Sequence, residues 1–122
     1  MRQFNGGLWT EARYRSFITS ILRSGSRRWP PKYQCLNESK TDKKINPKSG
    51  RLAQHYKCAK CGEDFPAKEV QVDHIKPVVD PKKGFISWDV FIERLYCEQK
   101  NFQTLCKSCH RIKTKKETSD RK

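Results

Sequence analysis

Apolar residues recur at helical spacing in two places along the chain and alternate in one. Between Thr10 and Ser24, Tyr14, Phe17, Ile18, Ile21 and Leu22 fall at i, i+3, i+4, i+7 and i+8. That spacing predicts an amphipathic helix whose stripe is core, with Thr10 as N-cap and Gly25 as its stop. Ser26 to Pro30 read as a turn, and Pro31 fits the first position of a second short helix through Leu36 and Glu38. The stretch TDKKINPKSGRLA that follows is polar, holds a proline and a glycine, and reads as a basic connection. From Glu69 to Ile75, Val70 and Val72 alternate with polar neighbours, which predicts a short strand ended by Pro77 and Pro81. Trp88, Phe91, Ile92 and Leu95 return to helical spacing, with Ser87 as N-cap and Asp89 in the first turn. Asn101 to Leu105 is a brief extended piece, and a final helix begins at Cys106 and frays into the tail TSDRK.

Composition narrows what such elements can build. The chain has 122 residues, of which 34% are apolar and a third charged. One domain with a modest core is expected, and a polar chain of this size needs a staple such as a metal. No apolar run approaches a membrane span and nothing reads as an export signal. The expectation is an intracellular protein, where six cysteines favour metal binding over disulfides. Neither a membrane partner nor a small-molecule cofactor is expected.

The net charge is +14 and unevenly placed. Residues 1–32 carry +6, residues 33–54 carry +3 and residues 106–122 carry +5, while residues 55–105 are balanced. Two basic flanks around a neutral middle point to a polyanion, most simply nucleic acid.

The middle holds the chemistry. Cys58/Cys61 and Cys106/Cys109 are two C-x2-C pairs, the spacing that lets two sulfurs grip one tetrahedral ion, and four thiolates suit structural zinc. Cys106-Lys-Ser-Cys109-His110 also spells a covalent haem signature. The lack of an export signal, the absence of any methionine but Met1, and the unexplained first pair set that reading aside. Cys35 and Cys97 fall outside the pairs and read as core thiols. On a helix, His110 lies about 100° round from Cys109, so it faces away from the zinc. Zinc tying strand to helix would bring Asp73, His74 and His110 within reach of one another. A carboxylate and an imidazole make a sparse divalent-metal site, and a second imidazole can take a proton from water. Adjacent strand residues point to opposite faces, so a shared site at Asp73 and His74 predicts a break in strand alternation before Pro77.

VDHIKP followed by NFQTLCKSCHRIKT resembles the HNH nuclease motif. RRWPPKY, YKCAKCGEDFPAKEVQVDHI and SWDVFIERLYC extend the likeness, from about Trp9 to Lys115, to the small HNH endonucleases of tailed phages, some called homing endonucleases. The resemblance implies a small α+β fold: a ββα-metal core with a four-cysteine zinc site and an N-terminal basic helical extension. In domain terms this is a DNA-binding extension over 1–54, a zinc-stapled nuclease core over 55–118 and a flexible tail over 119–122.

It also implies hydrolysis of phosphodiester bonds in double-stranded DNA. His74 would be the general base, Asp73 and His110 the ligands of a catalytic Mg²⁺ or Mn²⁺, and Asn101 the residue that holds the loop and orients the histidine. Phe102 departs from the family's usual leucine after the asparagine, a change of packing. The phage likeness places the protein in the cytoplasm of an infected bacterium. Arg13, Arg23, Arg27 and Arg28 are expected to grip the duplex, and Lys76, Arg111 and Lys113 to contact phosphates. The competing expectation is a non-catalytic zinc-ribbon nucleic-acid binder, which leaves Asp73, His74 and His110 idle.

Overall fold

A computed structural model describes residues 2–121. In chain order the elements are α1 (Glu11–Ser26), α2 (Pro30–Glu38), β1 (Lys40–Ile45), β2 (Leu52–Lys57), β3 (Asp64–Pro66), β4 (Val70–His74), α3 (Trp88–Leu95), β5 (Phe102–Cys106) and α4 (Lys107–Arg121). Strands β1, β2 and β3 form one antiparallel sheet in that order, and β4 pairs with β5 alone. The small α+β class is as expected. Among the described residues no helix is long and apolar enough to cross a membrane.

The local signals explain most helix starts. Thr10 Oγ1 accepts from Arg13 N at 3.1 Å, and Ser87 Oγ accepts from Val90 N at 3.2 Å, each satisfying an N–H that the helix leaves open. Pro30 and Pro31 occupy the first turn of α2, where no amide hydrogen is needed.

Four expectations are corrected. Gly25 does not stop α1, which continues through Ser26. The glycine clears space instead: a Cβ there would lie 3.0 Å from the hydroxyl of Tyr96, which donates to the Leu22 carbonyl at 2.6 Å. The stripe of α1 is only partly core. Leu22 packs on the cluster of Val78, Phe91 and Leu95, whereas Phe17 and Ile21 remain about half exposed. The segment read as a connection is the hairpin β1–β2. Its polar strands carry no apolar alternation, and the ladder to β2 and β3 holds them. The boundary placed at residue 54 therefore falls inside β2, and the N-terminal extension is not wholly helical. Helix α4 also runs through the expected tail as far as Arg121; Lys122 lies outside the described residues.

Two small cores result. One gathers Cys58, Leu105 and Cys106 with Phe65 and Cys109. The other sits beneath α3, with Leu22, Val79, Phe85 and Tyr96 around it. Trp29 links α2 to the chain beyond α3: its Nε1 donates to the Cys97 carbonyl at 2.6 Å, and its ring meets Tyr96 edge-on.

Candidate functional site

The four paired cysteines converge. Cys58 follows β2, and its carbonyl accepts from Gly62 N at 3.0 Å, closing a tight turn in which Gly62 takes φ +76°, a conformation natural to glycine. Ala59 N donates to the Thr104 carbonyl at 2.8 Å, which docks this turn on β5. Cys106 ends β5 rather than opening α4, and its sulfur accepts from Cys109 N. The four sulfurs all lie within 4.8 Å of one another. A cluster of four cysteines at that spacing can hold a structural metal such as zinc.

Electrostatics agree. Burial works against ionising Cys58, but backbone N–H groups of Cys106, Cys61 and Lys60 outweigh it and hold the thiol at about 6. Cys109, hydrogen-bonded to Cys106 and close to Cys58, is pushed up to about 12. Thiolates crowded together resist ionising, and a bound cation removes that conflict.

The expected break in β4 is absent. Its pairing with β5 runs in unbroken register from Val70 opposite Cys106 to His74 opposite Phe102. Asp73 and His74 therefore project to opposite faces, and His110 approaches only Asp73. A shared pocket for the three, as expected from the sequence, is not formed.

On the α4 face, His110 Nε2 stands 3.6 Å from Asp73 Oδ1. Lys113 Nζ stands 2.8 Å from Asp73 Oδ2 and 2.6 Å from Glu117 Oε1, and donates to the His74 carbonyl at 2.9 Å. Asp73 Oδ2 is buried and has no hydrogen bond, so its contact with Lys113 is one of charge, off the hydrogen-bonding direction. Burial works against the ammonium of Lys113, but Asp73 and Glu117 outweigh it and hold its pKa above the ordinary lysine range. Lys113 is thus engaged within the protein, which argues against its expected role as a phosphate contact.

On the other face, His74 packs its ring on Phe102 at 4.7 Å, and its Nε2 lies 2.9 Å from the Leu95 carbonyl. A carbonyl only accepts, so Nε2 carries the proton and Nδ1 of the neutral ring keeps the lone pair. Burial is the first cause that lowers the histidine's pKa, and the positive charges of Lys32 and Arg23 act in the same direction. The ring is therefore neutral near pH 7. His74 borders a cavity of about 600 Å³ together with Lys76, Asp80, Glu93, Arg94 and Asn101.

Asn101 acts through its backbone: its carbonyl accepts from Ile75 N at 2.9 Å, fixing the chain just past His74. The Leu95 carbonyl, not Asn101, orients the histidine. Lys76 joins the same cavity, while Arg111 borders a separate open groove with His110 and Lys107. Arg13 stacks on Trp9 at 4.7 Å and Arg23 on Phe91 at 5.5 Å. Arg27 and Arg28 are exposed.

Sequence reasoning missed Lys32 and Glu117. The i, i+4 spacing of Lys113 and Glu117 was a usable signal. Nothing local marks Lys32, whose charge reaches His74 only because α2 packs on the β4–β5 ribbon. Comparison with protein-family models, curated proteins and solved structures found no match to this chain.

Proposed function

We propose that the protein is a metal-dependent DNA endonuclease of the HNH type. The observation that carries this reading is the end of the β4–β5 ribbon, where a neutral, carbonyl-anchored histidine and a buried carboxylate facing a second histidine are consecutive in the chain. Their α-carbons are about 3.8 Å apart. A phosphate at the ribbon's end is therefore within reach of both faces, and strand alternation does not prevent joint action.

The donor set fits a divalent ion. Asp73 Oδ2 is a buried carboxylate oxygen without a hydrogen bond, and Asp73 Oδ1 faces His110. Asp73 and His110 would hold Mg²⁺ or Mn²⁺, which would supply positive charge to the phosphate and the departing oxygen. Lys113 is a cation already beside that carboxylate and competes with the ion for it. His74 Nδ1 takes a proton from the attacking water. The new P–O bond forms as the bond from phosphorus to the 3′ oxygen breaks. Lys32 and Arg23 add positive charge on the His74 side of the ribbon's end. The zinc-ready cysteines would hold the ribbon against α4. The phage origin implied by the resemblance belongs to the same reading.

A second reading, a non-catalytic zinc-stapled nucleic-acid binder, is favoured by one observation: Lys113, shared with Glu117, already pairs with the Asp73 carboxylate. Nicking of supercoiled plasmid in Mg²⁺ or Mn²⁺ separates the two. Wild type should cut, and His74→Ala and Asp73→Asn should each cut at least about 100-fold more slowly with unchanged circular dichroism. A folded wild-type protein that binds DNA and never cuts it would establish the second reading.

A further inference from the structure

The β1–β2 hairpin takes no part in the site above. All six residues of β1 are exposed, so this strand contributes little burial to the fold. Between Lys40 and Lys57 the hairpin holds six Lys/Arg against Asp42 alone. Two of the six are spoken for: Lys44 pairs with Asp64 and Lys48 with Glu69. Lys40, Lys43, Arg51 and Lys57 are exposed and form no ion pair among the described residues.

The far end is different in kind. Ile45 sits opposite Leu52, and they are 60% and 64% exposed. Register puts Lys43, Ile45, Leu52 and Gln54 on one face of the ribbon. Beyond the pair the chain reverses through Pro47 and Gly50, the latter at φ +70°. An aliphatic cross-strand pair left in water between unpaired cations is what a partner with an anionic rim and an apolar interior would cover.

We infer that the β1–β2 hairpin is a DNA-contacting arm, separate from the arginines of the helices. It seats in a groove of duplex DNA, with Lys43 and Arg51 among the cations that meet flanking phosphates and with Ile45 and Leu52 inside the groove. Shape and charge both support this occupant. A two-stranded ribbon fits the major groove of B-form DNA, where apolar side chains meet the thymine methyl groups. The deep, narrow major groove of A-form RNA does not admit such a ribbon. The inference rests on the DNA reading above but needs no catalysis.

Fluorescence anisotropy of a labelled duplex, titrated with full-length protein across a range of salt concentrations and without added divalent ions, tests it. The Lys43→Ala/Arg51→Ala protein should bind at least ten-fold more weakly. Its log–log salt slope should be shallower by roughly 1.8, about 0.9 for each lost phosphate contact, with its melting temperature unchanged. Ile45→Ser/Leu52→Ser should weaken binding and leave the slope as in wild type. Wild-type affinity and slope in both double variants would overturn the arm while leaving the endonuclease reading intact. Equal affinity for duplex RNA would overturn groove seating. A wild-type protein that fails to bind duplex DNA would sink the arm and the endonuclease reading together.

Discussion

The β4–β5 ribbon is held differently at its two ends. At the Val70–Cys106 end, four sulfurs converge around Leu105 and the turn after Cys58. At the His74–Phe102 end, no such cluster exists among the described residues. Charged and polar contacts replace it: Asp73 with Lys113 and His110, and His74 with the Leu95 carbonyl. One end suits a closed metal that only organises. The other leaves room for a ligand, with cations approaching from α2 on one face and α4 on the other. Rigidity and openness are the two ends of one five-residue strand.

Metal removal should break the comparison most severely. One zinc per chain is expected by elemental analysis, and chelation or Cys58→Ser should unfold both ends together, since structural zinc contributes on the order of 10 kcal/mol. An unchanged melting temperature would refute that role. Asp73→Asn and His74→Ala should sharpen the contrast from the other side by abolishing cutting while zinc content and the folded spectrum persist.

A smaller effect is expected from Trp29→Phe, which deletes the hydrogen bond to Cys97 near the open end. A loss of about 1 kcal/mol should lower the melting temperature by about 4 °C with full zinc retention. Thermal melts with metal analysis would check it, and loss of zinc would show that the two ends are not separable.

The smallest effect concerns the sheet that carries Cys58. A hydrogen bond from Lys44 is the main cause holding the Asp64 carboxyl below the ordinary value of 3.8. Its folded pKa is depressed, so its stabilisation is present above the unfolded value and is lost as pH falls through the folded one. Melting temperature should therefore fall slightly faster below about pH 4 in wild type than in Asp64→Asn. Parallel curves would show the pair to be inert.

What could be read from the chain follows the range of the signal. Thr10, Ser87 and Pro31 act within one turn, so the helices were legible and their starts nearly so, with α2 and α4 each displaced by one residue. The C-x2-C spacing likewise announced a cluster of four cysteines able to hold a metal. Strand β1 was hidden because its residues all face water, and β2 because its buried and half-buried positions are Ala53, Gln54, His55 and Tyr56, which show no apolar alternation. Gly25 misled for a related reason: a glycine near a helix end looks like a stop, and only Tyr96, 71 residues away, reveals that it makes space. At the site, Asp73, His74 and His110 were visible by type. Their division between two faces depended on pairing with Phe102 and Gln103, and Lys32 depended on where α2 came to rest.

The cysteine cluster also has a consequence for the order of folding. Cys61 and Cys106 enclose 44 residues, and the pairs of the ribbon nest within that loop until only 27 separate His74 from Phe102. A metal that gathers the cysteines closes the widest loop first, and each later pair then spans a shorter and entropically cheaper segment. Refolding of this ribbon should run from the sulfur end inward, so the ionisable groups come together as the last event. Chains that never acquire metal would then lack both their staple and the starting point of their own assembly.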